Sequence, residues 1–497
     1  MRSAHIFRNA TLEALSAIFD AGTDCSFSGY GDVSDVPAAR EYFWAYTFPF
    51  ESGSENLAGT LDAYLSGLQL VLKNRVPDAP MTLLAMAAPG CFAVAAQNDF
   101  VAAQVARYNA ALAKIAETYP ACNVKFLPDE TLNTIDWRLY FLTKLAFSPR
   151  ALARVADSAG TPAKPLPVPA VRKKCIVLDL DGTLWAGTLD EDTISCDGDY
   201  PANAFRFFQT RLKELAQSGI LLAISSKNDM EAVRDIFRRQ KMPLALEDFS
   251  AVRCDWRDKA EHLKEIASEL NLGLDSFVFV DNTAAERGWV KSALPQVAVP
   301  DFPDAPYDLP VFYGDLLTRY FRAQKLTAED LQKTEQYRSN AARERLAGSG
   351  IDYESYLREL QIEVSVKIND PATFPRLEQI SQKTNQFNLC VSRLRERDFE
   401  ELLTLGAVIA AVSVSDIFGD SGCVGLAVAV PDGNGVFTIR EFALSCRVLG
   451  RKIETRMLKL FEEELRSRGA KEIRARFCPT EKNRKYQNFF GDNGIGA

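Results

Sequence analysis

The residues best able to do chemistry lie in the stretch "CIVLDLDGTLW", residues 175 to 185. An apolar run, Ile176-Val177-Leu178, leads directly into Asp179 and Asp181 and then into Gly-Thr. Two like charges beside an apolar core repel each other and lose hydration, so this spacing asks for partners elsewhere in the chain. Two further apolar runs end in polar residues: one in Ser225-Ser226-Lys227-Asn228, the other in Asp281-Asn282. Lys259 opens a helical pattern between them. These types suit phosphoryl chemistry. A carboxylate such as Asp179 can attack phosphorus, and a second one two residues on, Asp181, can protonate the leaving oxygen and later deprotonate water. Mg²⁺ prefers hard oxygen ligands, and Asp179, Asp181, Asp281 and the amide of Asn282 are its candidates. The hydroxyl of Ser226 and the ammonium of Lys259 would hold the phosphoryl oxygens. Thr183, Lys227 and Asn228 are the further phosphate-binding candidates beside them.

Such residues act together only if the elements place them together. "CIVLDL", "ILLAISS" and "SFVFVD" read as strands that are apolar throughout. Helical patterns such as "NAFRFFQTRLKELAQSG", "DMEAVRDIFRRQ" and "DKAEHLKEIASELNL" separate them. That alternation predicts a parallel sheet covered on both faces, with ligands at the carboxyl ends of its strands. Only about 43 residues lie between Asp181 and Ser225, most of them helical, so no large cap is expected over the site. An uncovered site suits a bulky substrate, such as a group carried on another protein.

The Pro-rich stretches "GTPAKPLPVPA" and "LPQVAVPDFPDAPYDLP" divide the chain into expected domains at 1–155, 172–315 and 320–497. The first alternates helical patterns with short apolar runs, an α/β layer fold. The last opens with helices around "TAEDLQKTEQYRSNAARERL" and "DYESYLREL", then reads as an antiparallel-leaning α+β pattern. The whole is thus an α/β multidomain chain.

Composition bounds the function. The chain has 497 residues, 47% apolar and 25% charged, with a net charge of −8 and no basic block. Nucleic acid is not the expected partner. No secretory leader pattern or membrane-length apolar run is visible, so no membrane role and a cytoplasmic setting are expected. Ten cysteines without a C-x-x-C pair, and only two histidines, leave no visible zinc site. His5 and His262 read as structural, which leaves the chemistry to carboxylates, lysines, hydroxyls or thiols.

The order "LDLDGT", "AISSKN", Lys259 and "FVFVDN" resembles the motifs of the haloacid dehalogenase (HAD) superfamily. The resemblance implies Asp179 as nucleophile, Asp181 as acid/base, Ser226 and Lys259 on phosphate, and Asp281 on the metal. The related subfamily usually has a second aspartate where this chain has Asn282. Longer stretches, "LDLDGTLWAGTLDED", "DWRDKAEHLKEIASELNLGLDSFVFVDNTAAERGWV", "QKTNQFNL", "DIFGDSGCVGLA", "LSCRVLGRKIE" and "CPTEKN", are similar to the FkbH-like proteins of polyketide assembly. The similarity spans roughly residues 172 to 490 and implies a HAD-like Rossmannoid sheet followed by a GNAT-like acyltransferase domain. The first segment is similar to an SGNH-like domain but lacks its Gly-Asp-Ser and Asp-x-x-His blocks, so it reads as non-catalytic.

The activity implied is a glyceryl transferase/phosphatase. It would move the glyceryl group of 1,3-bisphosphoglycerate onto the phosphopantetheine arm of an acyl carrier protein. A thiol relay belongs to that picture, with Cys196, between polar residues, as the more accessible candidate and Cys175 as the other. In the GNAT-like segment, "RVLGRK" offers Arg447, Gly450 and Arg451 near the pantetheine phosphate, with Lys452 where a small residue is usual. The amide-rich run Gln382 to Asn388 reads as a binding loop. Two alternatives stay open: a HAD phosphatase on another phosphorylated metabolite with a separate acyltransferase domain, and a non-catalytic scaffold of the same fold.

Overall fold

The computed structural model describes residues 2–19, 22–126, 135–145, 147, 166–189, 193–270, 272–326, 352–445 and 448–496. The chain divides into two compact units, Met1–Thr334 and Glu335–Ala497.

The first unit holds two larger parallel sheets and a two-stranded parallel pair. Its opening elements are β1 (Ser3–Arg8), β2 (Asp24–Tyr30), β3 (Glu41–Ala45), α1 (Ser54–Asn74), β4 (Met81–Ala85), β5 (Ala95–Gln97), α2 (Phe100–Thr118) and β6 (Cys122–Phe126). Five of these strands pair in parallel in the order β2-β1-β3-β4-β6. On α1, Leu57, Leu61, Leu68, Val71 and Leu72 recur at helical spacing and are buried, which is the apolar stripe a covering helix needs.

The chain continues through α3 (Trp137–Thr143), β7 (Cys175–Leu178), α4 (Ala202–Gln217), β8 (Leu221–Ser226), α5 (Met230–Arg239) and β9 (Phe249–Cys254). Then come α6 (Lys259–Glu269), β10 (Phe277–Val280), α7 (Ala284–Ala293), α8 (Leu309–Leu316) and β11 (Ala323–Lys325). Here the sheet order is β10-β7-β8-β9, all parallel. All four residues of β7 and of β10 are buried, as strands covered on both faces require. β9 is absent from the sequence reading. Its "FSAVRC" is an edge strand buried only in its first half, so it lacks the continuous apolar run of its neighbours.

The two larger sheets of this unit share one core. The Phe92 ring lies 5.4 Å from Phe207 on α4 and 6.1 Å from Tyr313 on α8. β11 pairs in parallel with β5, so the strand at 323–325 belongs to the first unit. The helix expected at 327–346 lies outside the described residues.

The second unit contains α9 (Tyr353–Glu359), β12 (Glu363–Ile368), α10 (Phe374–Lys383), α11 (Glu396–Thr404), β13 (Val408–Asp416) and β14 (Gly419–Gly433). β15 (Val436–Leu444), α12 (Ile453–Ser467) and β16 (Glu472–Ala475) follow. The sheet runs β12-β13-β14-β15-β16, antiparallel except for the parallel pair β15/β16. Alternation along β14 builds two cores: Leu426 and Val428 join Phe374, Leu377 and Ile380 of α10, while Ala427 and Ala429 join Met457, Leu458 and Phe461 of α12. This is the period-2 signature of a sheet with a helix layer on each face. Among the described residues, no helix is long and apolar enough to cross a membrane.

Candidate active site

Parallel strands aim their carboxyl ends the same way, so the polar residues that end β7, β8 and β10 meet at one edge of the sheet. Asp179 follows β7 and is only 6% exposed. Its Oδ1 accepts from the Ser226 hydroxyl at 3.0 Å and from Lys259 Nζ at 2.8 Å. Lys259 Nζ also donates to Asp281 Oδ2 at 2.6 Å, and Asp281 is fully buried. Burial raises the Asp179 carboxyl to about 6; Lys259 opposes that rise, and the Asp281 charge adds to it. Burial works against the Lys259 charge too, but the two aspartates outweigh it and hold the amine above its ordinary value.

Asp181 is oriented apart from this pair. Its Oδ1 accepts from Trp185 Nε1 at 2.8 Å and its Oδ2 from Asn228 Nδ2 at 3.1 Å. Asn228 also donates to the Ser226 hydroxyl at 3.1 Å, so one amide ties the acid/base candidate to the phosphate-binding candidate Ser226. Trp185 was missed as a site residue, although it closes the motif that carries both aspartates. Thr183 is buried, and its hydroxyl lies 3.4 Å from Asp179 Oδ2 and accepts from the Asn282 backbone N–H at 2.9 Å. Gly182 has φ +66°, and a Cβ there would sit 2.4 Å from Asn282 Nδ2. Glycine is needed there both for the turn and for this close approach.

The donors fit a magnesium ion. Asp179 and Asp281 place two buried carboxylates against the single Lys259 ammonium, which leaves negative charge that a divalent cation would offset. Mg²⁺ takes one or two carboxylates and completes its shell with water and phosphate oxygens. Asp181, the other aspartate expected on the metal, accepts one hydrogen bond at each oxygen, from Trp185 and from Asn228. Among the described residues, no three His, Cys, Asp or Glu side chains surround a common point. Asn282 is exposed at the edge of this group.

Lys227 reaches the mouth of the site, where Nζ pairs with Glu286 Oε1 at 2.6 Å. His262, read as structural, is fully buried one turn after Lys259 on α6. Its Nδ1 lies 3.1 Å from the Ser225 hydroxyl, and its Nε2 donates to Asp255 Oδ1 at 2.9 Å. It therefore joins the ends of β8 and β9 to the helix that carries Lys259. No signal in the sequence marks this link, because β9 itself goes unread.

The expected accessible thiol is corrected by the structure. Cys196 is fully buried, Gln209 Nε2 donates to its sulfur at 3.2 Å, and burial pushes its thiol up to about 12. Its polar neighbours in sequence lie on a loop whose cysteine points inward. Cys175 is fully buried within β7. The thiol nearest the site is Cys254, paired in register with Ser226 and raised to about 12 by burial and by the charges of Asp179, Asp255 and Asp229.

In the second unit, Arg447 lies outside the described residues. Gly450 has φ +77°, and its α-carbon faces open space where a side chain would project. Its carbonyl accepts from the Tyr353 hydroxyl at 3.0 Å. Arg451 is buried against Asp416 at 3.2 Å, and Lys452 pairs with Glu354. The amide-rich run is exposed at Gln382, Asn385 and Gln386 and buried at its end. Leu389 N donates to Phe442 O, and Leu444 N to Phe387 O, so this backbone lies along the end of β15. Asn388 is fully buried, and its carbonyl accepts from the Asn483 amide at 2.9 Å. The Gln382 and Asn388 amides donate to the carbonyls of Arg393 and Ser381.

No family model matches the chain, and no curated protein matches it. Among solved structures, the chain is similar to the N-terminal part of protein BF1531 from Bacteroides fragilis, described as containing a phosphatase domain complexed with Mg. That likeness has 21% identity and a TM-score of 0.31, covering 65% of this chain and 94% of that one. It is also similar to an acetyltransferase of Trypanosoma brucei, at 14% identity and a TM-score of 0.21, covering 27% of this chain and 94% of that one. A GNAT-family acetyltransferase of Staphylococcus aureus gives 15% identity and a TM-score of 0.22, covering 27% and 84%. At these scores the reading of the site rests on its own geometry.

Proposed function

We propose that the chain is a Mg²⁺-dependent phosphatase/acyl transferase of the FkbH-like type, acting on a phosphorylated small molecule and delivering a glyceryl group to an acyl carrier protein. The observation that carries the phosphoryl half is Asp179, buried at a strand end and held by Ser226 and Lys259, with Asp281 sharing the lysine. Asp179 Oδ2 is the attacking atom, since Oδ1 already takes hydrogen bonds from Ser226 and Lys259 while the Thr183 hydroxyl stands 3.4 Å from Oδ2. Attack forms the aspartyl–phosphorus bond as the bond to the leaving oxygen breaks. Asp181, steadied by Trp185 and Asn228, gives the leaving oxygen its proton and later takes one from the water that releases phosphate. Ser226 and Lys259 stabilise the charge spread over the phosphoryl oxygens. Asp179, Asp281 and the Asn282 amide would hold Mg²⁺, which would neutralise the phosphoryl charge.

Acyl transfer is the finer part of this reading. The pantetheine thiolate attacks the glyceryl carbonyl at C1, forming the thioester as the carbonyl carbon–oxygen bond of the acyl phosphate breaks and that phosphate leaves, while Asp179 takes the phosphate ester at C3. Cys196 takes no part, because its sulfur is buried. The GNAT-like second unit and the SGNH-like opening segment belong to the same reading as acyl-handling and structural parts. The described cysteines are all unpaired, in keeping with a reducing, cytoplasmic setting.

A second reading, a phosphatase on another phosphorylated metabolite, is favoured by the burial of Cys196 and by the backbone pairing that fills Phe387 to Leu389. One experiment separates them: incubate the full chain with holo carrier protein, Mg²⁺ and enzymatically made 1,3-bisphosphoglycerate, then weigh the intact carrier. A glyceryl adduct is expected. Phosphate release from other esters without an adduct would select the second reading. Asp179→Asn should abolish phosphate release in either case, and retained release would remove Asp179 as nucleophile.

A further inference from the structure

We infer that Glu286 is a specificity-determining residue: it occupies Lys227 as an internal anion, and the substrate's phosphate must displace it. This rests on the reading of Asp179 as the phosphoryl-accepting group. Lys227 directly follows Ser226, whose hydroxyl donates to Asp179. Glu286 lies in the first turn of α7, five residues after Asp281. In the sheet, β7 lies between β10 and β8. A 2.6 Å ion pair from the β8 end to the helix after β10 therefore crosses the carboxyl end of β7, where Asp179 sits.

The two side chains are 39% and 21% exposed, so the pair lies at the rim and not in the core. A rim pair of this kind is weakly held and readily exchanged. A phosphate dianion offers more charge and more acceptor oxygens than one carboxylate, so it wins the lysine where a neutral ester does not. Left in place, Glu286 keeps Lys227 from the anion; once displaced, it leaves Lys227 to the phosphate. The outcome is selection for strongly anionic phosphates over neutral or singly charged mimics.

The test uses the full chain and inorganic phosphate, with binding read by calorimetry, so turnover is not needed. Glu286→Gln should tighten phosphate about ten-fold by removing the competing charge, and Lys227→Met should weaken it by a similar factor. The double variant should bind like Lys227→Met alone, because Glu286 acts only through Lys227. Unchanged or weaker phosphate binding in Glu286→Gln, with an unaltered melting transition, would overturn the inference. A tightening also seen in the Lys227→Met background would do so too, since it would show general repulsion without displacement. Failure of the nucleophile reading is scored separately, by phosphate release in Asp179→Asn.

Discussion

At the residue scale, the carboxylates, the serine and the lysine were legible because each ends a strand or opens a helix, and strand ends converge. The thiol was not. Polar neighbours along the chain say nothing of where a side chain points, and Cys196 is sealed under the Gln209 amide. Its raised thiol gives a direct check. At pH 8 the native protein should leave Cys196 unmodified by iodoacetamide, because both access and thiolate are lacking. Peptide mapping after brief labelling reads this, with urea-unfolded protein as the positive control. Rapid native labelling at Cys196 would return it to the mechanism. Asn282, which departs from the usual aspartate, is tied to Gly182 by close packing. Gly182→Ala should therefore displace Asn282, cost about 1–3 kcal/mol of stability and slow phosphate release. Urea unfolding and a phosphate-release assay measure the two effects.

At the scale of elements, the three buried strands and their helices could be read from continuous apolar runs. β9 could not, being an edge strand only half buried. That omission hid the role of His262, which ties Ser225 at the end of β8 to Asp255 just past β9. His262 rides on α6 one turn beyond Lys259, so it fixes where that helix begins relative to Ser226. His262→Ala should leave Ser225 buried without this partner and cost about 1–3 kcal/mol. It should also lower kcat for phosphate release about ten-fold with little change in KM, since Lys259 would be misplaced for the transition state more than for binding. A variant that loses stability yet keeps kcat would reduce His262 to a core contact. The buried end of the amide-rich run in the second unit was opaque for a related reason. Side chains that satisfy internal backbone look, in sequence, like side chains that await a ligand.

At the scale of the whole molecule, the Pro-rich passage after residue 160 marked a change of segment, but not how closely the segments on either side pack. Within the first unit, Arg211 on α4 donates to the Ser52 carbonyl at 2.7 Å, and Glu214 accepts from the Ser54 backbone N–H at 2.8 Å. The two side chains pair at 2.9 Å, only 1% and 8% exposed. A buried ion pair thus caps the start of α1 from the neighbouring layer, an arrangement no local pattern announces. Arg211→Ala would strand Glu214 and should cost the first unit about 3–5 kcal/mol, whereas a combined Arg211→Met and Glu214→Leu change should recover most of that loss. The pH dependence follows from the carboxyl. Burial holds Glu214 above its ordinary value, with Arg211 opposing, so charging it in the fold is costly. Without Arg211 that cost grows. The unfolded carboxyl is the same in both proteins and cancels, so the loss in Arg211→Ala should be small below the raised folded value of Glu214 in the native protein and grow above it, toward the still higher value in the variant. Urea titrations of the three proteins at acid and neutral pH measure this directly. A loss independent of pH would mean that the hydrogen bond from Arg211 to the Ser52 carbonyl, and not the charge of Glu214, holds the two layers together.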